Sequence, residues 1–386
     1  MRKLAIIYLL FVTVIACNTG KDKKGYSIRT IKMSEILKLE TKRILLSEFA
    51  TDFRYLIPEA KPGSYFTLMG IEYIGTDIVI LFEKRTQQLF AFKPNGKFIG
   101  KIGEIGAGPN EYQYFTKVFV FPGLNEIHVF VARQKRILRY SFGLEFLGEL
   151  KLDSAPSEMH VYQHKYYLCA YNDNVIQAVN GNDLIIRDPL SFKELKVLQH
   201  RDPVKQVDQP NLMINKTCRL FSNRDTLYYA RAIAGNVTIY KIFNNVVSPF
   251  LNLDFKSLGT SGLDYGMVLI NQTMIFGDFL IIGFQQNSQI ARGYYNLITK
   301  EISSFEIINN LDNGLDFYPM GVCDDNCYFS DDLKINYFID FWKSNEGSNE
   351  FKNIKCMYPD REKWIKDTIP KSLEGNPWIM IVCQTK

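Results

Sequence analysis

Gly103-Glu104-Ile105-Gly106-Ala107-Gly108-Pro109-Asn110-Glu111-Tyr112 divides two stretches of chain that repeat one another. Three glycines open positive φ to the backbone, while Pro109 fixes its own φ and drives Gly108 towards an extended geometry. The segment reads as a sharp turn with a stiff exit. On its two sides Val79-Ile80-Leu81-Phe82 aligns with Ile127-His128-Val129-Phe130 at a shift of 48 residues. Without a gap, Leu89-Phe90-Ala91-Phe92 falls on Ile137-Leu138-Arg139-Tyr140, and Phe98-Ile99-Gly100 on Phe146-Leu147-Gly148. A period near 40–50 residues carrying several strands is that of a propeller blade. Asn95-Gly96 is expected to form a type I′ hairpin turn, with Gly143 as its counterpart.

Fainter copies follow. Tyr166–Ala170 with Asp183–Ile186 makes a third and Leu227–Ala230 with Val237–Tyr240 a fourth. Phe279–Phe284 with Ala291–Tyr295 makes a fifth, and Cys327–Phe329 with Tyr337–Ile339 a sixth. The expected fold is all-β: a six-bladed β-propeller with four-stranded antiparallel blades, closed by terminal strands. Closure removes sheet edges that invite aggregation. Candidates for the closing pair are Ile44–Leu46 or Phe53–Leu56 at one end and Trp378–Val382 at the other.

Before the repeats, Arg2 and Lys3 precede the apolar run Leu4–Ala16, broken only by Thr13 and followed by Cys17. That run is short of the roughly 20 residues needed to span a bilayer and matches a secretory signal peptide. Val14-Ile15-Ala16-Cys17 resembles the bacterial lipobox, which makes Cys17 the expected lipidation site and the membrane a partner through that anchor. The expected organisation is a signal peptide at 1–16, a lipidated Cys with a flexible tether at 17–30, and the propeller at 31–386. The location that follows is the bacterial cell envelope, on the periplasmic or outer-membrane face.

Loss of Arg2 and Lys3 with the signal takes the formal charge of +5 to +3. Beyond Lys21-Asp22-Lys23-Lys24 no basic run remains, so nucleic-acid binding is not expected. The six cysteines after Cys17 are widely and irregularly spaced, unlike a disulfide framework. Cys323-x₃-Cys327 has no companion pair that would complete a zinc site.

No catalytic set, metal or cofactor is expected. Gly103-x-x-Gly106-x-Gly108 has the wrong order for a dinucleotide loop and leads into no helix. His160 and His164 would lie roughly 13 Å apart on a strand, too far for one metal, and His128 and His200 stand isolated in sequence. Asp324-Asp325, Asp331-Asp332 and the Arg187-Asp188, Arg201-Asp202 and Arg224-Asp225 pairs lack calcium-loop spacing and read as blade turns. Glu111 and Tyr112 are the joint's only candidate ligand contacts, with Glu111 expected chiefly to accept loop N–H groups.

The stretch 53–152, with Lys93-Pro94-Asn95-Gly96-Lys97-Phe98-Ile99, Gly108-Pro109-Asn110-Glu111-Tyr112 and Arg136-Ile137-Leu138-Arg139-Tyr140, resembles the six-bladed propeller lipoproteins of Bacteroidetes, which have NHL-like repeats. Asn376-Pro377-Trp378-Ile379-Met380-Ile381 resembles that family's closing strand. Asn110 replaces the usual second glycine of the joint, and Glu83 stands where an Asp is common. The resemblance implies export and a propeller, and it brings no catalytic motif. The expected function is an envelope-anchored scaffold binding a peptide, protein or glycan, more a binding module than an enzyme. The alternative is an extracytoplasmic hydrolase or lyase acting on a glycan or lactone.

Overall fold

The short apolar runs form hairpin-connected strands. The structure is a computed structural model. It describes residues 28–59, 61, 63–153, 155–156, 158–169, 182–200, 212–214, 218–223, 226–233, 236–258, 266–286, 289–311, 316–322, 327–329, 333–334, 344, 363 and 378–385. The expected signal peptide, Cys17 and all but the last three residues of the expected tether lie outside these, as do Tyr337–Ile339, Cys323 and the two Asp pairs.

The chain enters through β1 (Arg29–Lys32), the single helical turn α1 (Met33–Ile36), β2 (Thr41–Leu45) and β3 (Ala50–Leu56). Blade 1 is β4 (Met69–Ile74), β5 (Val79–Glu83), β6 (Leu89–Phe92) and β7 (Phe98–Ile102). The glycine-rich joint follows as a parallel pair, β8 (Glu104–Ile105) and β9 (Glu111–Tyr112). Blade 2 is β10 (Lys117–Phe121), β11 (Glu126–Val131), β12 (Arg136–Ser141) and β13 (Phe146–Lys151). Blade 3 is β14 (Glu158–Tyr162), β15 (Lys165–Cys169), β16 (Asn182–Arg187) and β17 (Glu194–His200). After β18 (Leu212–Ile214), blade 4 is β19 (Cys218–Asn223), β20 (Thr226–Ile233), β21 (Asn236–Phe243) and β22 (Val246–Asp254). Blade 5 is β23 (Gly266–Phe276), β24 (Phe279–Gln286), β25 (Gln289–Asn296) and β26 (Ile302–Ile308). Last come β27 (Gly321–Val322), β28 (Cys327–Phe329), β29 (Leu333–Lys334) and β30 (Trp378–Thr385).

Among the described residues this gives five four-stranded antiparallel blades, not the six expected. The expected sixth copy differs because β28 pairs directly with β30, so the C-terminal strand stands where a third meander strand was expected. β30 pairs on its other edge with β3, Leu56 opposite Met380 and Phe53 opposite Cys383. Phe53–Leu56 and Trp378–Val382 thus meet in one sheet built from both ends of the chain. Ile44 and Leu45 lie instead in β2, which adds in parallel to the outer edge of blade 5, as β1 adds to that of blade 4.

The 48-residue repeat extends to irregularities. A bulge between Ala91 and Phe92 recurs between Arg139 and Tyr140. The Asn95-Gly96 turn is not type I′: only Gly96 has positive φ, +84°, since Pro94 holds the preceding turn position at negative φ. Gly96 N–H donates to Lys93 O at 2.8 Å, and in the next blade Leu144 N–H donates to Ser141 O at 2.9 Å with φ +69°. The counterpart of Gly96 is therefore Leu144, not Gly143.

The core consists of apolar layers between neighbouring sheets. Ile80, Leu89, Val118 and Val129 join blades 1 and 2, while Leu56, Met380 and Val382 join the terminal sheet to Met69 and Val79 of blade 1. Burial of each such side chain contributes on the order of 1.5–3 kcal/mol.

Candidate functional site

The first strands of the blades, β4, β10, β14, β19 and β23, stand side by side around the axis. Lys117, Glu158, Arg219 and Gln272 each occupy the fifth position from the C-terminal end of β10, β14, β19 and β23. Two cations, one carboxylate and one neutral amide thus form one tier at the axis. On β4 the corresponding position is Gly70, and the bulge between Ile71 and Tyr73 brings Glu72 into the circle.

Polar contacts link β4 to β10, β10 to β14 and β14 to β19, and tie β23 to the segment before β27. Val118 N–H donates to Glu72 Oε2 at 3.2 Å. Lys117 Nζ donates to Glu158 Oε1 at 3.1 Å and to Met159 O at 2.9 Å. His160 Nε2 lies 2.9 Å from Ser222 Oγ, and Gln272 Nε2 reaches Pro319 O. These groups are half-buried and charge is costly there. Burial pushes Glu72 up to about 7, against the Val118 N–H and Lys117. It holds His160 down to about 3, with Lys117 adding to the effect, and lowers Arg219 against the pull of Glu158. Lys117 and Arg219 set two cations against the Glu158 carboxylate in this tier, and burial works against a charge on Glu72. β18 pairs in parallel with the start of β23, on the edge of β23 opposite β24.

The joint candidates are turned inward. Tyr112 is fully buried, its hydroxyl accepting Leu89 N–H at 3.0 Å and donating to Ile102 O at 2.9 Å. Glu111 Oε2 accepts Gly108 N–H at 2.8 Å, and a Cβ at Gly106 would collide with that oxygen. Arg136 donates to the carbonyls of Gly108, Pro109 and Glu111, and Tyr140 to that of Asn110. This arrangement locks the joint into blades 1 and 2.

His128 is not isolated. It is fully buried, with Nε2 2.8 Å from Glu126 Oε2 and Nδ1 2.6 Å from Tyr166 Oη, and Arg139 grips Glu126 through two bonds of 2.8 Å. Burial lowers His128 to about 4 despite Glu126, so the ring is neutral and links blade 2 to blade 3 out of solvent. Its partners sit two residues back on the same strand face and one blade onward. His164 lies in the turn after β14 at φ +57°, off the strand that carries His160. Asp188 caps its own turn through Leu190 N–H, Ser191 N–H and Ser191 Oγ. Glu83, buried, accepts Thr67 N–H at 2.5 Å and Leu68 N–H at 3.3 Å. Cys169 and Cys383 are buried. Among the described residues no three His, Cys, Asp or Glu side chains are grouped to hold a metal.

The chain resembles a "putative exported protein" from Bacteroides fragilis NCTC 9343, with TM-score 0.56 and 15% identity over 93% of this chain and 100% of that one. At that identity the likeness shows the fold alone. A DUF4221 family member from Bacteroides vulgatus matches at TM-score 0.41 and 7% identity over 87% and 97% of the two chains. The extracellular domain of a "putative one component system" from B. thetaiotaomicron matches at 0.37 and 12% over 65% and 29%. No curated protein matches significantly. A family model described as "Domain of unknown function (DUF4934)" matches residues 28–383, and the chain belongs to that family.

Proposed function

We propose that the protein is an exported, lipid-tethered propeller that binds a small hydrophilic ligand at its axis. The axial tier carries this reading. Lys117, Glu158, Arg219 and Gln272 stand at one level on four successive strands, with Glu72 beside them and His160 and Ser222 below. Such a circle offers donors and acceptors on several sides of one molecule, and its excess positive charge favours an acidic one, such as a glycan fragment bearing a carboxylate. Export and the tether rest on the signal-like residues 1–16 and on Cys17, and they agree with the description of the B. fragilis protein as exported.

The His160–Ser222 pair supports a second reading, a hydrolase or lyase. A general base works best with a pKa near the operating pH. His160, held down to about 3 by burial, is a weak one, so binding is the better fit.

Thermal-shift assays with neutral and acidic oligosaccharides and short peptides test the reading on wild type and on Lys117→Met. The expected result is a shift from an acidic oligosaccharide that Lys117→Met removes. If no compound moves the transition, or the shift survives Lys117→Met, the axis is not the site.

A further inference from the structure

We propose a second binding site, for an amphipathic monocarboxylate, in the groove between the N-terminal segment and the outer half of blade 5. The groove encloses about 560 Å³, within the roughly 300–1,000 Å³ of small-molecule sites. Ile36 and Phe305, almost fully buried, form its floor. Ile290 and Met320, 69% and 47% exposed, form an apolar lip facing solvent. Exposed large side chains gathered over a concavity are what an apolar ligand body would cover.

The charges in the groove select the head group. Arg292 lies with its guanidinium 5.1 Å from the centroid of the Tyr318 ring, and the Tyr318 hydroxyl donates to Asp316 Oδ2 at 3.3 Å, which fixes that ring as a platform. Glu306, also in the wall, is answered by Arg43 at 3.7 Å. Arg292 is the one cation among the described lining residues and has no ion pair among the described residues, and its planar fork matches a carboxylate. One cation suits a monocarboxylate better than a phosphate, which draws on several cations or a nest of backbone N–H groups. Thr41 and Ser304, whose hydroxyls lie 3.1 Å apart on the same wall, add neutral polar partners.

Isothermal titration of the full chain with octanoate, and with 1-octanol as the uncharged probe, tests the site. Octanoate is expected to bind saturably and at least tenfold more tightly than octanol. Arg292→Gln should weaken octanoate at least tenfold and leave octanol unchanged. Ile290→Glu, at an exposed lip that folding does not require, should weaken both. Lys117→Met should change neither, which separates this site from the axis. No saturable octanoate binding, equal affinity for the two probes, or octanoate binding indifferent to both groove variants overturns the proposal.

Discussion

Replacing Tyr112 by Phe removes one oxygen from the interior of the joint and keeps the ring. That oxygen accepts Leu89 N–H at 3.0 Å and donates to Ile102 O at 2.9 Å, and Leu89 and Ile102 face each other across β6 and β7. The hydroxyl therefore closes the end of the blade 1 ladder. In Tyr112→Phe the Leu89 N–H is left buried without a partner, a cost of about 1–3 kcal/mol, and the Ile102 carbonyl loses a hydrogen bond worth about 1 kcal/mol. The edge-to-face contact with Phe115, centroids 6.2 Å apart, remains. The sum is a destabilisation of about 2–4 kcal/mol, which at a slope near 3 kcal/mol/M lowers the urea midpoint by about 1 M. Tyr114→Phe is the control, because Tyr114 is 54% exposed and its change should stay within about 0.5 kcal/mol. A Tyr112→Phe midpoint equal to wild type would show that the hydroxyl supports nothing, and the account of the joint as an internally bonded clasp would fail.

Acid should destabilise the fold. His128 and His160, held down to about 4 and 3, bind fewer protons folded than unfolded below about pH 6.5, so the stability they contribute is full above that pH and lost as pH falls. Glu72, raised to about 7, acts oppositely between about pH 4.5 and 7, where the folded chain holds the extra proton. Glu72→Gln should therefore steepen the loss of stability over that window by roughly 1 kcal/mol per pH unit, read from urea midpoints. An unchanged slope would refute the assignment. Val382→Asp puts a charge into the layer joining the terminal sheet to blade 1, where Val382 is 1% exposed. It should cost more than about 3 kcal/mol and open the chain to pulse proteolysis, and wild-type resistance would mean that β30 is dispensable.

Much of the blade architecture is written locally. Strands β5 to β7 and β11 to β13 show an ungapped repeat because each blade solves the same packing problem, apolar side chains on both faces of a sheet held between two others. The blade count is less local. Cys327–Phe329 looks like the start of another meander, but its partner is the C-terminal strand, about fifty residues on, and nothing in the short run specifies which distant strand will pair with it. The axial tier was hidden for a related reason. Lys117, Glu158, Arg219 and Gln272 lie 41 to 61 residues apart in neighbouring order, and their common level appears only once strand ends are known. Glu126 and His128 were legible in principle, since residues two apart share a strand face. The chain of bonds onward to Tyr166 needs the next blade in place.

The outer edges of the blades show why the N-terminal segment has the sequence it has. A propeller leaves the fourth strand of each blade open, and such edges template pairing with other chains unless something blunts them. On blades 1 to 3 the fourth strands carry charge: Lys101 on β7, Glu149 and Lys151 on β13, and Glu194 and Lys196 on β17. On blade 4, β22 reads Val246-Val247-Ser248-Pro249-Phe250-Leu251-Asn252-Leu253-Asp254, and Lys32 and Arg29 of β1 bracket its apolar half, pairing with Asp254 and Leu251. On blade 5, β2 covers Ser304 to Ile308 and sets Arg43 against Glu306. The two blades whose edge strands are least protected by their own charges are those that the entering chain covers, and it brings basic residues to the new edge it creates. None of the β2 side chains Thr41-Lys42-Arg43-Ile44-Leu45 is fully buried, because a strand laid along a finished blade has one edge paired and little core of its own to face. Chain entry is therefore part of the edge protection, and it also supplies one wall of the groove beside Arg292, through Ile36, Leu37, Leu39 and Thr41.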